Sequence, residues 1–443
     1  MSEAATTSYR LEADVVVTSD EAESIHAPGA VEVQDGRISW VGRADETRDR
    51  HPELAVERLP GVLMPGLVNV HCHSPMTLFR GTGEGVPLDR WLREELWPRE
   101  AVVTEEDVYW GMTLAAAESL ARGVTTTCEM YVFDESVARA AEDASLRCVV
   151  CTPMIEAPGW ERFGTWKEQL DRAAAHAAAT TDLVEFAFGP HAAYTLPREA
   201  LEAVAVVARE QGALVHIHVA ETQAEGAPVE ERYGLSVPAL LAEVGLFDAR
   251  VLAAHSVWLS DADLEIYRGH DVAVAHCPQS NMKLASGIAR LSDMLALGIR
   301  VGLGTDGPAS NNDLDLWDEM RLAPLVARVT TGDAAVITAQ QAFGLATCGG
   351  AEVLGRTDIG VLAPGRWADM ALLRMDDPAF VPILEPRDVI THLVWSASSR
   401  LVTDVWVGGR RAVQNGRCTT VDEKAARSQV QERAARLASA GRT

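Results

Sequence analysis

Residues 65–81, PGLVNVHCHSPMTLFRG, place His71 and His73 at the end of an apolar run and just before a turn-forming Ser-Pro. Alternate side chains of a β-strand share a face, so both imidazoles project to the same side at the C-terminal end of the predicted strand. Two neutral imidazoles on one face are half of the donor set of a protein metal site. This stretch therefore predicts a strand that ends in a metal site.

Three later segments each end a predicted strand with a further polar side chain. They are His218 in VHIHVAET, His255 in VLAAHSV and Asp306 in VGLGTDGPASNN. In a (β/α) barrel the strand ends converge on one mouth, so residues far apart in sequence become neighbours there. We predict that His71, His73, His218 and Asp306 bind one divalent metal ion. Zinc suits these ligands best, and iron or manganese could replace it.

The same strand ends carry candidate catalytic groups. Glu221 follows His218 by three residues, where its carboxylate can reach both the water of the site and a substrate nitrogen, so it is the candidate general acid/base. His255 is predicted to hydrogen-bond the attacking water, and Asp306 to accept a proton from it. We interpret His216 as a packing residue that points away from His218.

The order of elements predicts an α/β fold, a (β/α)8 TIM-type barrel with a small β-sandwich built from both termini. Short β-branched runs alternate with amphipathic helical stretches, and eight such runs close a barrel. Both terminal regions alternate apolar and polar residues around Gly and Asp-Gly or Asn-Gly turns, which is typical of hairpins. The predicted domains are residues 1–60 and 360–420 for the sandwich, 61–359 for the barrel and 421–443 for a helical tail.

The eight predicted barrel strands are GVLMPGLVNV, VTTTCEMYV, LRCVVCT, LVEFAFG, ALVHIHV, RVLAAHS, DVAVAHC and GIRVGLGT. The helix between the first two of them has its own local signals. Thr104 is a plausible N-cap, three carboxylates follow it in the first turn, and Gly123 supplies a left-handed stop.

Composition limits the classes of partner. The chain has 443 residues, 47% of them hydrophobic, and a formal net charge of -25, which would repel nucleic-acid backbones and anionic membranes. The first residues lack the pattern of a secretory signal, and no uncharged run approaches membrane-spanning length. We therefore expect a cytoplasmic protein with a small-molecule substrate, no nucleic-acid or membrane partner, and free thiols at its seven cysteines.

Several of these motifs resemble those of the amidohydrolase superfamily, and the resemblance runs over nearly the whole chain. Within that superfamily they look like the methylthioadenosine and S-adenosylhomocysteine deaminase group. The motifs that carry the resemblance are HCHSPMTLFRG, the Trp91 segment, FGPHAAY, HVAET, AAHSV and GTDGPASNN.

The resemblance implies a hydrolase that acts on C–N bonds other than peptide bonds, a cyclic-amidine deaminase. In it, metal-bound hydroxide displaces ammonia from an adenosine-like nucleoside, such as methylthioadenosine, adenosine, another 5'-modified adenosine or S-adenosylhomocysteine. Glu221 would protonate the ring nitrogen. Glu100, in WPRE, matches the ribose-hydroxyl acceptor, His191 matches a second nucleoside contact, and Trp91 could supply an aromatic wall. Relatives are often oligomeric, so a homo-oligomer is expected by analogy.

Two departures refine the expectation. Related barrels bridge two metals through a carbamylated lysine on the fourth strand, and the lysines here are only Lys167, Lys283 and Lys424, so one metal is predicted. Family members that take S-adenosylhomocysteine place an arginine after the third strand, where this chain has Thr152, and the resemblance offers Arg162 as the counterpart of a second arginine. An uncharged 5' substituent is therefore favoured.

Other functions stay open at this point. The same metal set would serve a guanine or pterin deaminase, an s-triazine chlorohydrolase-like enzyme or an amide-cleaving relative, since these differ mainly in the pocket. A non-catalytic scaffold barrel is a remote alternative. Such a protein would be expected to have lost ligands or the acid/base, and this chain has every one.

Overall fold

The computed structural model of the chain describes residues 8–47, 50–177 and 179–440. Residues 1–7, 48–49, 178 and 441–443, which belong to the predicted segments 1–60, 61–359 and 421–443, lie outside the described residues. The expectation of no secretory signal rests partly on residues 1–7 and therefore also lies outside them.

The strands of the described residues fall into two sheets. In chain order they are β1 (Ser8–Val17), β2 (Ile25–His26), β3 (Gly29–Gln34), β4 (Arg37–Arg43), β5 (Ala55–Pro65), β6 (Leu67–Cys72), β7 (Val124–Met130), β8 (Arg147–Met154), β9 (Val184–Pro190), β10 (Leu214–Val219), β11 (Arg250–His255), β12 (Ala273–His276), β13 (Val301–Leu303), β14 (Met370–Leu373), β15 (Val402–Val407), β16 (Arg410–Gln414) and β17 (Arg417–Cys418).

Helices connect the strands and cover the barrel. They are α1 (Leu88–Arg90), α2 (Trp97–Glu100), α3 (Glu105–Ala121), α4 (Asp134–Ala144), α5 (Trp166–His176), α6 (Arg198–Gln211), α7 (Gln223–Tyr233), α8 (Val237–Glu243), α9 (Asp261–Gly269), α10 (Pro278–Lys283), α11 (Leu291–Ala296), α12 (Leu316–Thr331), α13 (Ala339–Leu345), α14 (Cys348–Val353), α15 (Asp388–Trp395) and α16 (Glu423–Ala440). Within the described ranges, no helix combines the length and apolar character needed to cross a membrane.

Strands β6 to β13 form the predicted eight-stranded barrel, in which each strand pairs in parallel with the next along the chain. The last strand returns beside the first, because the Asp306 backbone N–H donates to the His71 carbonyl at 2.9 Å. The Thr305 backbone N–H likewise donates to the Asn69 side chain at 3.0 Å. This closure brings the His-Cys-His strand next to the segment that carries Asp306.

One predicted strand boundary is wrong. The run of residues 61–70 is two strands, because β5 ends at Pro65 in the terminal sheet and β6 begins at Leu67 in the barrel. Between them, the Gly66 N–H donates to the carbonyl of Asp369. Both halves are buried, so the sequence shows one continuous apolar run where the chain passes from one sheet to the other.

The two terminal regions pair into one sheet in the order β17-β16-β15-β14-β5-β1-β3-β4, with β2 beside β1. Most pairs are antiparallel, as the hairpin signals predict, but β1 and β5 run parallel. The sheet has its own apolar cluster, apart from the main core, which includes Leu11, Val31 and Leu372. A buried ion pair joins this sheet to the barrel, where Arg147 at the start of β8 contacts Asp369 at 2.8 Å.

Two helices support the side of the barrel near His73. Helix α3 begins after the predicted N-cap Thr104, and the Thr104 hydroxyl and the Asp107 carboxylate form a capping box by bonding each other's backbone N–H groups. Helix α16 packs against α3, and Arg433 and Arg436 pair with the buried Asp107. Within the predicted C-terminal tail, residues Glu423–Ala440 are therefore helical and pack against α3.

Candidate active site

The predicted metal ligands meet at the C-terminal mouth of the barrel. Nε2 of His71 lies 3.4 Å and Nε2 of His73 3.3 Å from Oδ1 of Asp306. Nε2 of His218 lies 3.3 Å from Nε2 of His73. Two groups of close donor atoms share His71, one with His73 and His218 and the other with His255 and Asp306, and the donor atoms of each group lie within 4.8 Å of one another. Imidazole nitrogens with a carboxylate oxygen are the donors that a divalent cation such as zinc takes in proteins.

Backbone carbonyls fix the orientation of two of these imidazoles. Nδ1 of His73 donates to the carbonyl of Met130 at 2.6 Å, and Nδ1 of His218 donates to the carbonyl of His191 at 2.8 Å. A neutral imidazole that donates from Nδ1 keeps a lone pair on Nε2. Both Nε2 atoms are therefore prepared as ligands.

The third imidazole is oriented by another histidine. Nδ1 of His216 lies 2.9 Å from the carbonyl of Leu252, and its Nε2 lies 2.7 Å from Nδ1 of His71. Because His216 donates to the carbonyl from Nδ1, its Nε2 accepts from His71, and the lone pair of His71 stays on Nε2. The expectation that His216 points away from His218 is wrong, since residues two apart on a strand share a face.

Two observations show that this set fits a divalent cation. Nε2 of His71 is buried without a hydrogen-bond partner, which is unusual for a polar atom unless a ligand completes it. Oδ2 of Asp306 accepts from the hydroxyls of Ser280 at 2.6 Å and Ser310 at 2.7 Å, so Oδ1 is the oxygen left facing the histidines. Burial would raise the pKa of Asp306, but the adjacent His71 and His73 hold it well below its usual range.

The candidate acid/base group lies beside this cluster. Oε2 of Glu221 is 3.8 Å from Nε2 of His255, whose Nδ1 donates to Oδ1 of Asn281 at 2.9 Å. Burial raises the pKa of Glu221, which favours its protonated form and suits a group that gives up and takes back a proton. The backbone N–H of Glu221 donates to the carboxylate of Glu225 at 2.8 Å, which anchors the loop after β10.

A pocket opens directly onto the cluster. Three predicted substrate contacts line it, namely Glu100, His191 and Trp91. Burial lowers the pKa of His191 to about 3, so this ring stays neutral. The indole of Trp91 donates to the carbonyl of Thr82 and presents its ring as part of the wall. The pocket is also lined by three members of the cluster, His73, His218 and Asp306, and by the adjacent Glu221 and His255.

Glu100 is buried at the end of α2 and accepts a hydrogen bond from the hydroxyl of Tyr131 at 2.8 Å. Burial raises its pKa to about 7. The sequence alone would classify Glu100 as an exposed acid, and only the resemblance indicated a site role. Its partner Tyr131 was not predicted at all, although its position directly after β7, at the mouth of the barrel, is a signal that could have found it.

Two other residues lie elsewhere. Arg162 lines a neighbouring cavity, where its guanidinium donates to the carbonyls of Ala101 and Val103 at 2.7 and 3.0 Å. Thr152 is buried, and its hydroxyl donates to Asp134. No lysine or arginine is among the described side chains that line the pocket at the cluster.

Comparison with known proteins agrees with this geometry. The amidohydrolase family profile matches residues 62–412, which include every strand of the barrel and all four candidate ligands. The chain belongs to the amidohydrolase family. The barrel, the terminal sheet and the His-Cys-His strand are thus the features of a family member, as the sequence motifs indicate.

Relatives within the family cover almost all of the chain. A 5-methylthioadenosine/S-adenosylhomocysteine deaminase from Pelotomaculum thermopropionicum is 38% identical over 423 residues, which are 95% of this chain and 97% of that protein. A 5'-deoxyadenosine deaminase from Methanosarcina mazei is 40% identical over 424 residues, 95% of this chain and 96% of that one. The crystal structure of an adenosine deaminase from Xanthomonas campestris with bound zinc superimposes with a TM-score of 0.92 at 33% identity, over 97% of this chain and 98% of that one.

Proposed function

We propose that the chain is a metal-dependent hydrolytic deaminase of adenosine-like nucleosides with a small, uncharged 5' substituent. The observation that carries this proposal is the pocket itself. It joins the His/Asp cluster and Glu221 to the buried Glu100, and its described lining contains no lysine or arginine. The names of the relatives support the same chemistry.

The metal would be held by Nε2 of His71, His73 and His218 and by Oδ1 of Asp306. The zinc-containing relative supports zinc as the ion, and we propose one ion for this site. When bound, such an ion lowers the pKa of a coordinated water toward neutrality. The hydrogen bonds from Ser280 and Ser310 to Oδ2 of Asp306 orient its carboxylate for this role.

Deamination adds one water to the ring carbon that bears the amino group and releases that group as ammonia. The oxygen of the water stays on the ring, one of its protons is carried to a ring nitrogen, and a proton leaves with the amino group. Glu221 is the group placed to carry these protons, because its carboxyl lines the pocket beside the cluster and burial raises its pKa.

His255 would orient the water and the developing oxygen. Asn281 accepts from its Nδ1, so its Nε2 is the atom that faces Glu221 and the cluster. Burial acts to lower the pKa of His255, but the nearby Glu221 and Asp306 carboxylates raise it above its ordinary value. A positively polarised group at this position stabilises negative charge that develops on the attacking oxygen.

The far side of the pocket would hold the sugar and its substituent. Glu100 supplies an acceptor for ribose hydroxyls, and Trp91 and His191 supply flat walls. A carboxylate-bearing 5' chain would meet no lysine or arginine on the described lining of this mainly apolar pocket, and Arg162 lines an adjoining cavity, where it donates to the Ala101 carbonyl. We therefore expect 5'-methylthioadenosine and 5'-deoxyadenosine to be better substrates than S-adenosylhomocysteine.

A substrate panel tests the proposal. Metal-loaded protein is given 5'-methylthioadenosine, 5'-deoxyadenosine, adenosine, S-adenosylhomocysteine and guanine, and ammonia release is measured. We expect turnover of the first three, with S-adenosylhomocysteine at least tenfold slower in kcat/KM, about 1.4 kcal/mol in transition-state stabilisation. Silence across the panel with metal bound would refute deamination, and guanine as the best substrate would refute the nucleoside assignment.

A matched pair of variants separates the site from general effects on the protein. Glu221→Gln removes the acid/base group, whereas Glu231→Gln removes the same charge from an exposed position on α7. Only the first should abolish ammonia release. Equal activities of the two variants would contradict the role of Glu221.

The proposal also covers how the chain divides into domains, how it assembles and where it is located. We infer the domain division predicted from the sequence, with a barrel over residues 61–359, a sandwich from 1–60 and 360–420 and a C-terminal helical segment from 421–443, except that residues 61–65 belong to the sandwich because β5 lies in the terminal sheet. We also infer a cytoplasmic homo-oligomer, by analogy with the family. Light scattering on the purified protein measures its mass directly, and a mass near 47.7 kDa would show a monomer and overturn the oligomer.

A further inference from the structure

The buried carboxylate at the sugar end of the pocket depends on a single side chain. Glu100 is 2% exposed, and among the side chains that the structure describes only Tyr131 bonds it, by donating from its hydroxyl to Oε1 at 2.8 Å. Tyr131 is itself 3% exposed. A buried carboxylate with one donor is an incompletely satisfied group, because an ionised carboxylate can accept about four hydrogen bonds.

The second oxygen of Glu100 is available to a ligand. Oε2 has no hydrogen bond to any described residue, and Glu100 lines the pocket that contains the catalytic cluster. A pair of vicinal hydroxyls supplies the two donors that this oxygen lacks. Tyr131 therefore occupies one side of the carboxylate and leaves the other side for the sugar.

The hydrogen bond from Tyr131 also controls the charge of the carboxyl group. Burial raises the pKa of Glu100 to about 7, and the contribution that opposes burial is the hydrogen bond from Tyr131. Burial raises the pKa of Tyr131 well above its ordinary value, so the phenol stays protonated and remains a donor. Without the hydroxyl, Glu100 would be neutral more often, and a carboxylic acid accepts hydrogen bonds less well than a carboxylate.

We propose that Tyr131 is a positioning residue that holds Glu100 as the acceptor for the vicinal hydroxyls of the substrate's sugar, and so selects ribonucleosides. This inference rests on the proposed function. The chain is organised to support it, because Tyr131 follows Met130, whose carbonyl orients His73. The end of β7 thus fixes the metal end and the sugar end of the pocket relative to each other.

The test compares two nucleosides that differ only in the hydroxyls. The ratio of kcat/KM for adenosine to kcat/KM for 2',3'-dideoxyadenosine is measured for the wild-type protein and for Tyr131→Phe, both loaded with metal. The matched control is Tyr109→Phe, because Tyr109 donates at a similar distance, 2.9 Å, to Asp143 on the outside of the barrel.

We expect Tyr131→Phe to lower this ratio about tenfold, through a higher KM for adenosine, as is usual when a hydrogen bond to a charged group is lost. The kinetics with the dideoxynucleoside should change little, and Tyr109→Phe should leave the ratio unchanged. An unchanged or higher ratio in Tyr131→Phe would overturn the inference, as would an equal loss on both nucleosides.

A second variant guards against a general effect on folding. In a Glu100→Gln background the partner can no longer ionise, so adding Tyr131→Phe should produce no further fall in the ratio. A full additional tenfold fall would show that Tyr131 acts independently of Glu100 and would refute the inference. Failure of the proposed function looks different, because the wild-type protein would then release no ammonia from either nucleoside.

Discussion

Replacing His216 by phenylalanine should weaken metal binding without removing any ligand. His71 is fully buried, so no water can replace the acceptor that its Nδ1–H loses. Either that N–H stays unsatisfied, or the proton moves to Nε2 and occupies the lone pair that binds the metal. An unsatisfied buried donor costs about 1–3 kcal/mol. Changes in such supporting residues lower metal affinity by about 10–100-fold, which is about 1.4–2.8 kcal/mol.

Competition for zinc with a chromophoric chelator measures this effect on protein freed of metal. His216→Gln is the matched variant, because an amide can accept from His71 and donate to the Leu252 carbonyl as the imidazole does. We expect a dissociation constant 10–100-fold higher for the phenylalanine variant, with the glutamine variant between it and the wild type. Circular dichroism of the metal-free proteins checks their folding. A dissociation constant for His216→Phe within about twofold of wild type would refute the reasoning.

Three further predictions concern the proposed catalytic and binding groups. Glu221→Gln should keep its metal, as measured by elemental analysis, while kcat falls by about 10²–10⁴-fold, and normal turnover would contradict the proton-transfer role. Asp306→Asn should lose metal on dialysis against a weak chelator, because the anionic ligand becomes neutral, and full metal content after dialysis would count against its assignment as a ligand. The KM for adenosine should rise as the pH falls through about 7, because burial raises the pKa of Glu100 to about 7 and the protonated acid is the weaker hydrogen-bond acceptor. A KM that stays constant between about pH 6 and 8 would exclude this role of Glu100.

The barrel and the gathering of its strand ends could be predicted because they follow from periodicity alone. Parallel strands place their C-terminal ends at one mouth, so residues as distant as His73 and Asp306 are expected to meet, and they lie 3.3 Å apart. The boundary at Gly66 could not be predicted, because the residues directly before it, 61–65, and those of β6 after it are all buried. The hydrophobic pattern of a sequence predicts which residues are buried, but it does not predict which of two sheets a strand joins.

The supporting residues of the site were harder to identify. The role of His216 was within reach, because the rule that pairs His71 with His73 also puts His216 on the face of His218. The bond between Tyr131 and Glu100 was not, since it depends on where the short helix α2 lies above the barrel. The placement of Arg162 in a separate cavity likewise depends on loop geometry that no periodicity encodes.

The central claim is that this pocket hydrolyses the amino group of an adenosine-like nucleoside. Metal-loaded protein is incubated with 5'-methylthioadenosine in water enriched in oxygen-18, and product mass and ammonia are followed together. The account predicts one ammonia released and one labelled oxygen gained for each product molecule, with both lost in Glu221→Gln. Product without the label, or no turnover by protein that contains its full complement of metal, would contradict it.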